Sequence, residues 1–156
     1  MCLLFGKETK AQSNQEPIDY LYRQMDRTYK GSCHCGTVRF EADIDLKAGT
    51  FKCNCEICTK TRMWGAIVKP EAFRLLAGKS ALVEYRPDKI HHLFCKHCGV
   101  RPFAWGEDPG LGGKFYAVRV NCLDNVEVEE LLEAPVAYFD GANDDYQSAP
   151  AETRHL

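Results

Sequence analysis

From Tyr29 onward the chain reads as β, and in places apolar and polar residues alternate with the period of a strand that has one buried face. The cleanest run is Val38, Phe40, Ala42 and Ile44, which follows a turn signalled by Gly36. Residues 50–54, 64–69, 81–86, 90–95, 102–106 and 114–120 read as further strands, punctuated by Pro87, Pro102, Pro109-Gly110 and Gly112-Gly113. Residues 70–73 predict one helical turn ahead of a strand near 74–76, which Gly78 ends. A short helix is predicted over 125–132, with β pairing as its rival, and the tail from Asp140 is polar and irregular. Short strands at this spacing predict a mainly β fold of antiparallel sheets with few short helices.

The first 28 residues differ, being polar and free of β-branched runs. Within them Ile18, Leu21, Tyr22 and Met25 recur at helical spacing after Ser13-Asn14-Gln15-Glu16-Pro17, so a short amphipathic helix or a frayed tail is expected there. No internal repeat appears beyond the cysteine motifs.

At 156 residues the chain suits one ordinary domain. A net charge of -2 and the lack of a basic patch interleaved with aromatics argue against a nucleic-acid partner. No apolar run approaches a membrane span, and the opening Met1–Phe5 run is too short for a secretory signal. The expected compartment is the cytoplasm. There, dense cysteine pairs mean metal more often than disulfides, and nine thiols cannot all pair within one chain.

Seven of the nine cysteines fall into three clusters: Cys33-x-Cys35, Cys53-x-Cys55-x-x-Cys58 and Cys95-x-x-Cys98. The outer pairs are each followed by glycine, Gly36 and Gly99, which tolerates the backbone angles of a metal knuckle. Four thiolates close a tetrahedral zinc site, so Cys33, Cys35, Cys95 and Cys98 are expected to hold a structural zinc that clamps two hairpins. The alternative is reduced thiols packed as small hydrophobes.

The middle triplet is followed by Thr59 instead. Three thiolates leave one position open on a second, more labile zinc, where an incoming thiol would lose its proton. A fourth protein ligand, such as a histidine or Cys122, or a triplet without metal, are the competing readings. The spacing matches neither ferredoxin pattern, which argues against an iron–sulfur cluster.

Three segments carry a resemblance: residues 31–40 around Cys33-His34-Cys35-Gly36, residues 53–58, and Phe94-Cys95-Lys96-His97-Cys98-Gly99. Together with Tyr138-Phe139-Asp140-Gly141 they resemble the glutathione-dependent formaldehyde-activating enzyme family, whose domain is shared with centromere protein V. The resemblance implies a zinc-binding domain over 29–141, between an extension at 1–28 and a tail at 142–156. It implies a tent-like fold of layered antiparallel sheets and the same two zinc ligand sets. It also implies a carbon–sulfur lyase-type activity, the condensation of glutathione with formaldehyde to S-hydroxymethylglutathione, with a small thiol and an aldehyde as partners.

For that chemistry Cys53, Cys55 and Cys58 are the catalytic centre, and His91 or His92 could supply an acid. Adjacent strand residues face opposite ways, so at most one can reach the site, and His92 is the candidate. His34 and His97 lie inside knuckles and His155 in the tail. Glutathione carries two carboxylates, which Lys60 and Arg62 could meet, with Arg101 a further cation. Trp64 could pack over the peptide, and Met63-Trp64 would narrow the pocket. Two other classes compete: a non-enzymatic zinc-binding interaction module, and a methionine sulfoxide reductase-like redox enzyme built on Arg119, Asn121 and Cys122.

Overall fold

The structure, a computed structural model, describes residues 27–156. The amphipathic stretch read at 18–25 lies outside the described residues. Ten strands run β1 (Arg27–Ser32), β2 (Arg39–Ile44), β3 (Thr50–Cys53), β4 (Gly65–Val68), β5 (Phe73–Ala77), β6 (Leu82–Tyr85), β7 (His91–Cys95), β8 (Phe103–Asp108), β9 (Gly113–Arg119) and β10 (Val136–Phe139). Two short helices, α1 (Glu56–Lys60) and α2 (Val128–Glu133), interrupt them. Neither is long and apolar enough to cross a membrane.

The strands form two layers, a three-stranded sheet β1-β2-β5 and a seven-stranded sheet β10-β3-β4-β9-β8-β7-β6. The alternation read in the sequence decides which side is buried. In β2, Phe40, Ala42 and Ile44 are buried, and they face Ala66, Val68, Phe103 and Val118 of the larger sheet across one core. Phe73 ties the layers: its ring lies 5.6 Å from Phe40, 4.7 Å from Phe103 and 4.1 Å from Tyr116. Burying a side chain such as Phe40 contributes about 2–3 kcal/mol.

All pairings are antiparallel except one. Strand β10 runs parallel to β3, matching Val136 to Thr50 and Phe139 to Cys53. The connection between them, residues 54–135, holds six other strands and both helices, far more chain than the roughly dozen residues a parallel pair requires. The predicted antiparallel pattern holds for the layers and is modified at this one edge.

Register decides where the cysteines go. Phe51 pairs with Gly65, Gly65 with Arg119, Phe103 with Val118, and Leu93 with Phe103. Cys53 and Cys95 each lie two residues beyond a member of that row, so both cysteine groups gather at the same end of the large sheet.

Candidate metal centres

The two outer knuckles are built alike. The Cys33 amide donates to the Val38 carbonyl (3.0 Å) and the Cys95 amide to the Val100 carbonyl (2.9 Å). Gly36 returns a bond to the Cys33 carbonyl and Gly99 to the Cys95 carbonyl. Both glycines have φ near +72°, and a side chain there would meet nothing within 4 Å. The requirement for glycine is therefore purely one of backbone angle.

The four sulfurs of Cys33, Cys35, Cys95 and Cys98 lie within 4.8 Å of one another. Cys35 Sγ is 3.5 Å from Cys33 Sγ and 3.7 Å from Cys95 Sγ. A tetrahedron with Zn–S bonds of about 2.3 Å has edges of about 3.8 Å, close to these two separations, so the set suits zinc. Cys33 and Cys95 are buried while Cys35 is exposed. Burial pushes the Cys33 thiol up to about 11, whereas hydrogen bonding at Thr37, whose Oγ1 is 3.2 Å away, draws Cys35 down to about 6. Four thiols so close together cannot all ionise alone. A divalent cation removes that conflict.

The second group, Cys53, Cys55 and Cys58, also lies within 4.8 Å, with no fourth histidine, cysteine or carboxylate in the set among the described residues. Cys53 ends β3, Cys55 precedes α1, and Cys58 sits inside that helix. Hydrogen bonds from the Cys55 and Cys58 thiols pull Cys53 down to about 3, and the resulting anion pushes both partners up. Only a cation would let all three ionise, and three soft thiolates favour zinc.

The segment after β10 is fastened over this triplet by Asn54. Its amide nitrogen donates to Asp140 Oδ1 (2.6 Å), and its side-chain oxygen accepts from the Ala142 amide (2.8 Å). Gly141 is thereby pressed against the sulfurs: a Cβ there would stand 2.5 Å from Cys53 Sγ and 3.2 Å from Cys55 Cβ. Gly141→Ala is accordingly expected to lower the metal affinity of the triplet at least tenfold while leaving the four-sulfur site filled. Competition against a graded chelator series reads both affinities separately.

Helix α1 ends in an unusual turn. The Met63 amide donates to the Cys58 carbonyl (2.9 Å) and the Arg62 amide to the Thr59 carbonyl (3.3 Å). This is the Schellman pattern, whose left-handed position normally belongs to glycine. Here Arg62 occupies it, with φ of +51°, at a cost of about 1 kcal/mol. Its guanidinium donates to the His155 carbonyl (2.5 Å).

The other sequence candidates scatter. Lys60 pairs with Glu56 on the exposed side of α1. Trp64 packs against the main core, and its indole N–H donates to Thr50 Oγ1 (2.9 Å). His91 stacks on Trp105 at 3.5 Å, and His92 lies on the opposite face, opposite Ala104, as strand geometry requires. His92 Nε2 and Arg101 Nη1 are both buried without a hydrogen-bond partner among the described residues. Burial, then the charge of Arg101, push His92 down, while the Cys55 thiolate opposes them.

Arg119 is 6% exposed and donates to the Thr61 carbonyl and Oγ1, both at 2.8 Å. It thus holds the turn that follows Cys58; burial pushes its guanidinium below the usual arginine range, and the charge of Cys58 opposes that. Cys122 is buried and its thiol is raised to about 11 by that burial, while Asn121 is exposed. A thiol held protonated is a poor nucleophile, which weighs against the redox reading.

Sequence reasoning missed two neighbours of the triplet. Tyr146 lies near Gly141, and burial together with the Cys53 and Cys55 charges raises its hydroxyl. Lys52 immediately precedes Cys53, its Nζ 5.9 Å from the Trp64 ring. Adjacency to a ligand could have signalled Lys52, and no sequence feature pointed to Tyr146.

Two comparisons bear on identity. A crystal structure of a Rhodobacter sphaeroides protein aligns with a TM-score of 0.58 and 27% identity, over 69% of this chain and 99% of that one. The sequence model described as glutathione-dependent formaldehyde-activating enzyme matches residues 28–139, which spans nine of the ten strands in full and all seven clustered cysteines, and ends where the arm over the triplet begins. With the motifs, the layered sheets and both sulfur clusters in register with that match, the chain belongs to the glutathione-dependent formaldehyde-activating enzyme family.

Proposed function

We propose that this protein joins a small thiol, glutathione by family, to formaldehyde at a zinc held by Cys53, Cys55 and Cys58, a carbon–sulfur lyase-type reaction run toward S-hydroxymethylglutathione. The observation that carries the reading is the convergence of three sulfurs with no fourth protein ligand in the set among the described residues. Cys33, Cys35, Cys95 and Cys98 hold a second, structural zinc in this reading. The reducing cytoplasm suits so many free thiols.

When bound, the triplet zinc supplies a positive charge that favours the thiolate form of an incoming sulfur. The sulfur lone pair then attacks the aldehyde carbon and forms the C–S bond, while the carbonyl π pair moves to oxygen. That oxygen takes a proton, and the thiol proton leaves to solvent, so the atoms of the two reactants are all retained in the product. Among the described residues His92 Nε2 and Arg101 Nη1 are buried without a hydrogen-bond partner, which makes them candidates for receiving the developing oxyanion. Arg62 stands beside the triplet to meet the peptide, and Arg119 holds the turn that carries Cys58 in place.

Because the condensation also proceeds without a catalyst, the test is a rate. Exchange spectroscopy on glutathione and ¹³C-formaldehyde should show exchange at least tenfold above the uncatalysed level. The His92→Gln variant is expected to fall several-fold without losing zinc. Exchange no faster than background with both zincs bound would leave a zinc-binding module, not an enzyme.

A further inference from the structure

Residues 153–156 lie beside the triplet. Lys52 Nζ donates to the Leu156 carbonyl oxygen (2.9 Å) and Arg62 Nη1 to the His155 carbonyl (2.5 Å). The Leu156 amide turns back to the Thr153 carbonyl (3.0 Å), which compacts residues 153–156 into a single turn. Leu156 itself lines a space shared with Cys53, Cys58, Thr59, Arg62 and Met63.

That space measures only about 10 Å³, which is no more than a water molecule needs. A peptide cannot reach Cys53 and Cys58 from this side while the segment is in place. The two cations that hold it do so through main-chain carbonyls, not through particular side chains, so the same donors would serve the carbonyls or carboxylates of another short peptide. Arg62 reaches its carbonyl from a left-handed backbone position that glycine would fill without strain, so the local fold does not call for arginine there.

We infer that Lys52 and Arg62 form a peptide-binding subsite beside Cys53 and Cys58, that residues 153–156 are its tethered occupant, and that a thiol peptide enters by displacing them. The inference rests on the proposed thiol chemistry for the identity of the incoming peptide, but not for the docking of the segment itself.

Four zinc-loaded proteins test it: the full chain, the chain lacking residues 153–156, Arg62→Gly, and Arg62→Gly with the same deletion. Glycine suits the turn, so Arg62→Gly is expected to fold. A segment docked about nine-tenths of the time lowers apparent affinity about tenfold. Calorimetric titration with glutathione should therefore show about tenfold tighter binding after the deletion. In the Arg62→Gly background the gain should shrink, to about threefold or less, because one of the two contacts that dock the segment is already gone. Hydrogen exchange at the Leu156 amide should quicken at least tenfold in Arg62→Gly. Glutathione binding that is unchanged or weakened by the deletion would overturn displacement. Unchanged Leu156 exchange in Arg62→Gly would overturn the docking itself. If no variant binds glutathione, the proposed substrate is wrong, and the exchange result alone decides whether the segment occupies the subsite.

Discussion

Cys95→Ser is expected to leave the domain without a cooperative unfolding transition, even in zinc-containing buffer. Cys95 is fully buried at the end of β7, and its sulfur meets Cys35, which belongs to the hairpin between β1 and β2. The four-sulfur site therefore joins the small sheet to the large one across a sequence separation of 60 residues. Structural zinc in small domains supplies about 10–16 kcal/mol of apparent folding free energy. A domain of this size has only about 5–15 kcal/mol in total. A hydroxyl at this position both loosens the metal and leaves three crowded thiols in its place. Thermal denaturation followed by near-ultraviolet circular dichroism checks this, and strong chelation of the parent chain should reproduce it. Unfolding within about 1 kcal/mol of the parent would mean that the core alone holds the layers together.

Cys55→Ser should behave in the opposite way. The triplet sits on the end of β3 and on α1, at the rim of one sheet, and bridges no two layers. The variant is expected to keep its fold, with a melting temperature within a few degrees of the parent, and to carry one zinc instead of two by native mass spectrometry. Its formaldehyde–glutathione exchange should fall to the uncatalysed rate. The contrast between the two variants separates a metal that holds the fold from a metal that does chemistry.

The sequence carried most of this division. Alternation located β2, because it has one buried face, and Gly-Pro punctuation separated several of the further strands. The glycines after Cys35 and Cys98 marked both knuckles, since their φ of +72° is a local property of the turn. Three elements were not legible. Strand β10 has four successive apolar residues without alternation, and α1 is only five residues long inside a metal motif. Strand β1 straddles the change from the polar leader to the β domain, where no period had yet settled.

The site was legible in its ligands and not in its surroundings. Cys53, Cys55 and Cys58 are neighbours in sequence, so their convergence could be read from spacing. Gly141 over Cys53, Tyr146 beside it and Leu156 against Arg62 come together only because β10 pairs with β3 and turns the tail back. Lys60 and Trp64 show the converse: close to the motif in sequence, they are committed to Glu56 and to the core with Thr50.

The measurement that bears most directly on the open triplet is glutathione titration of zinc-loaded wild-type and Cys55→Ser protein, with zinc counted in both. Two zincs in the wild type, one in the variant, and at least tenfold weaker glutathione binding in the variant are expected. Equal glutathione affinity in the two proteins would contradict the assignment of the thiol to Cys53, Cys55 and Cys58.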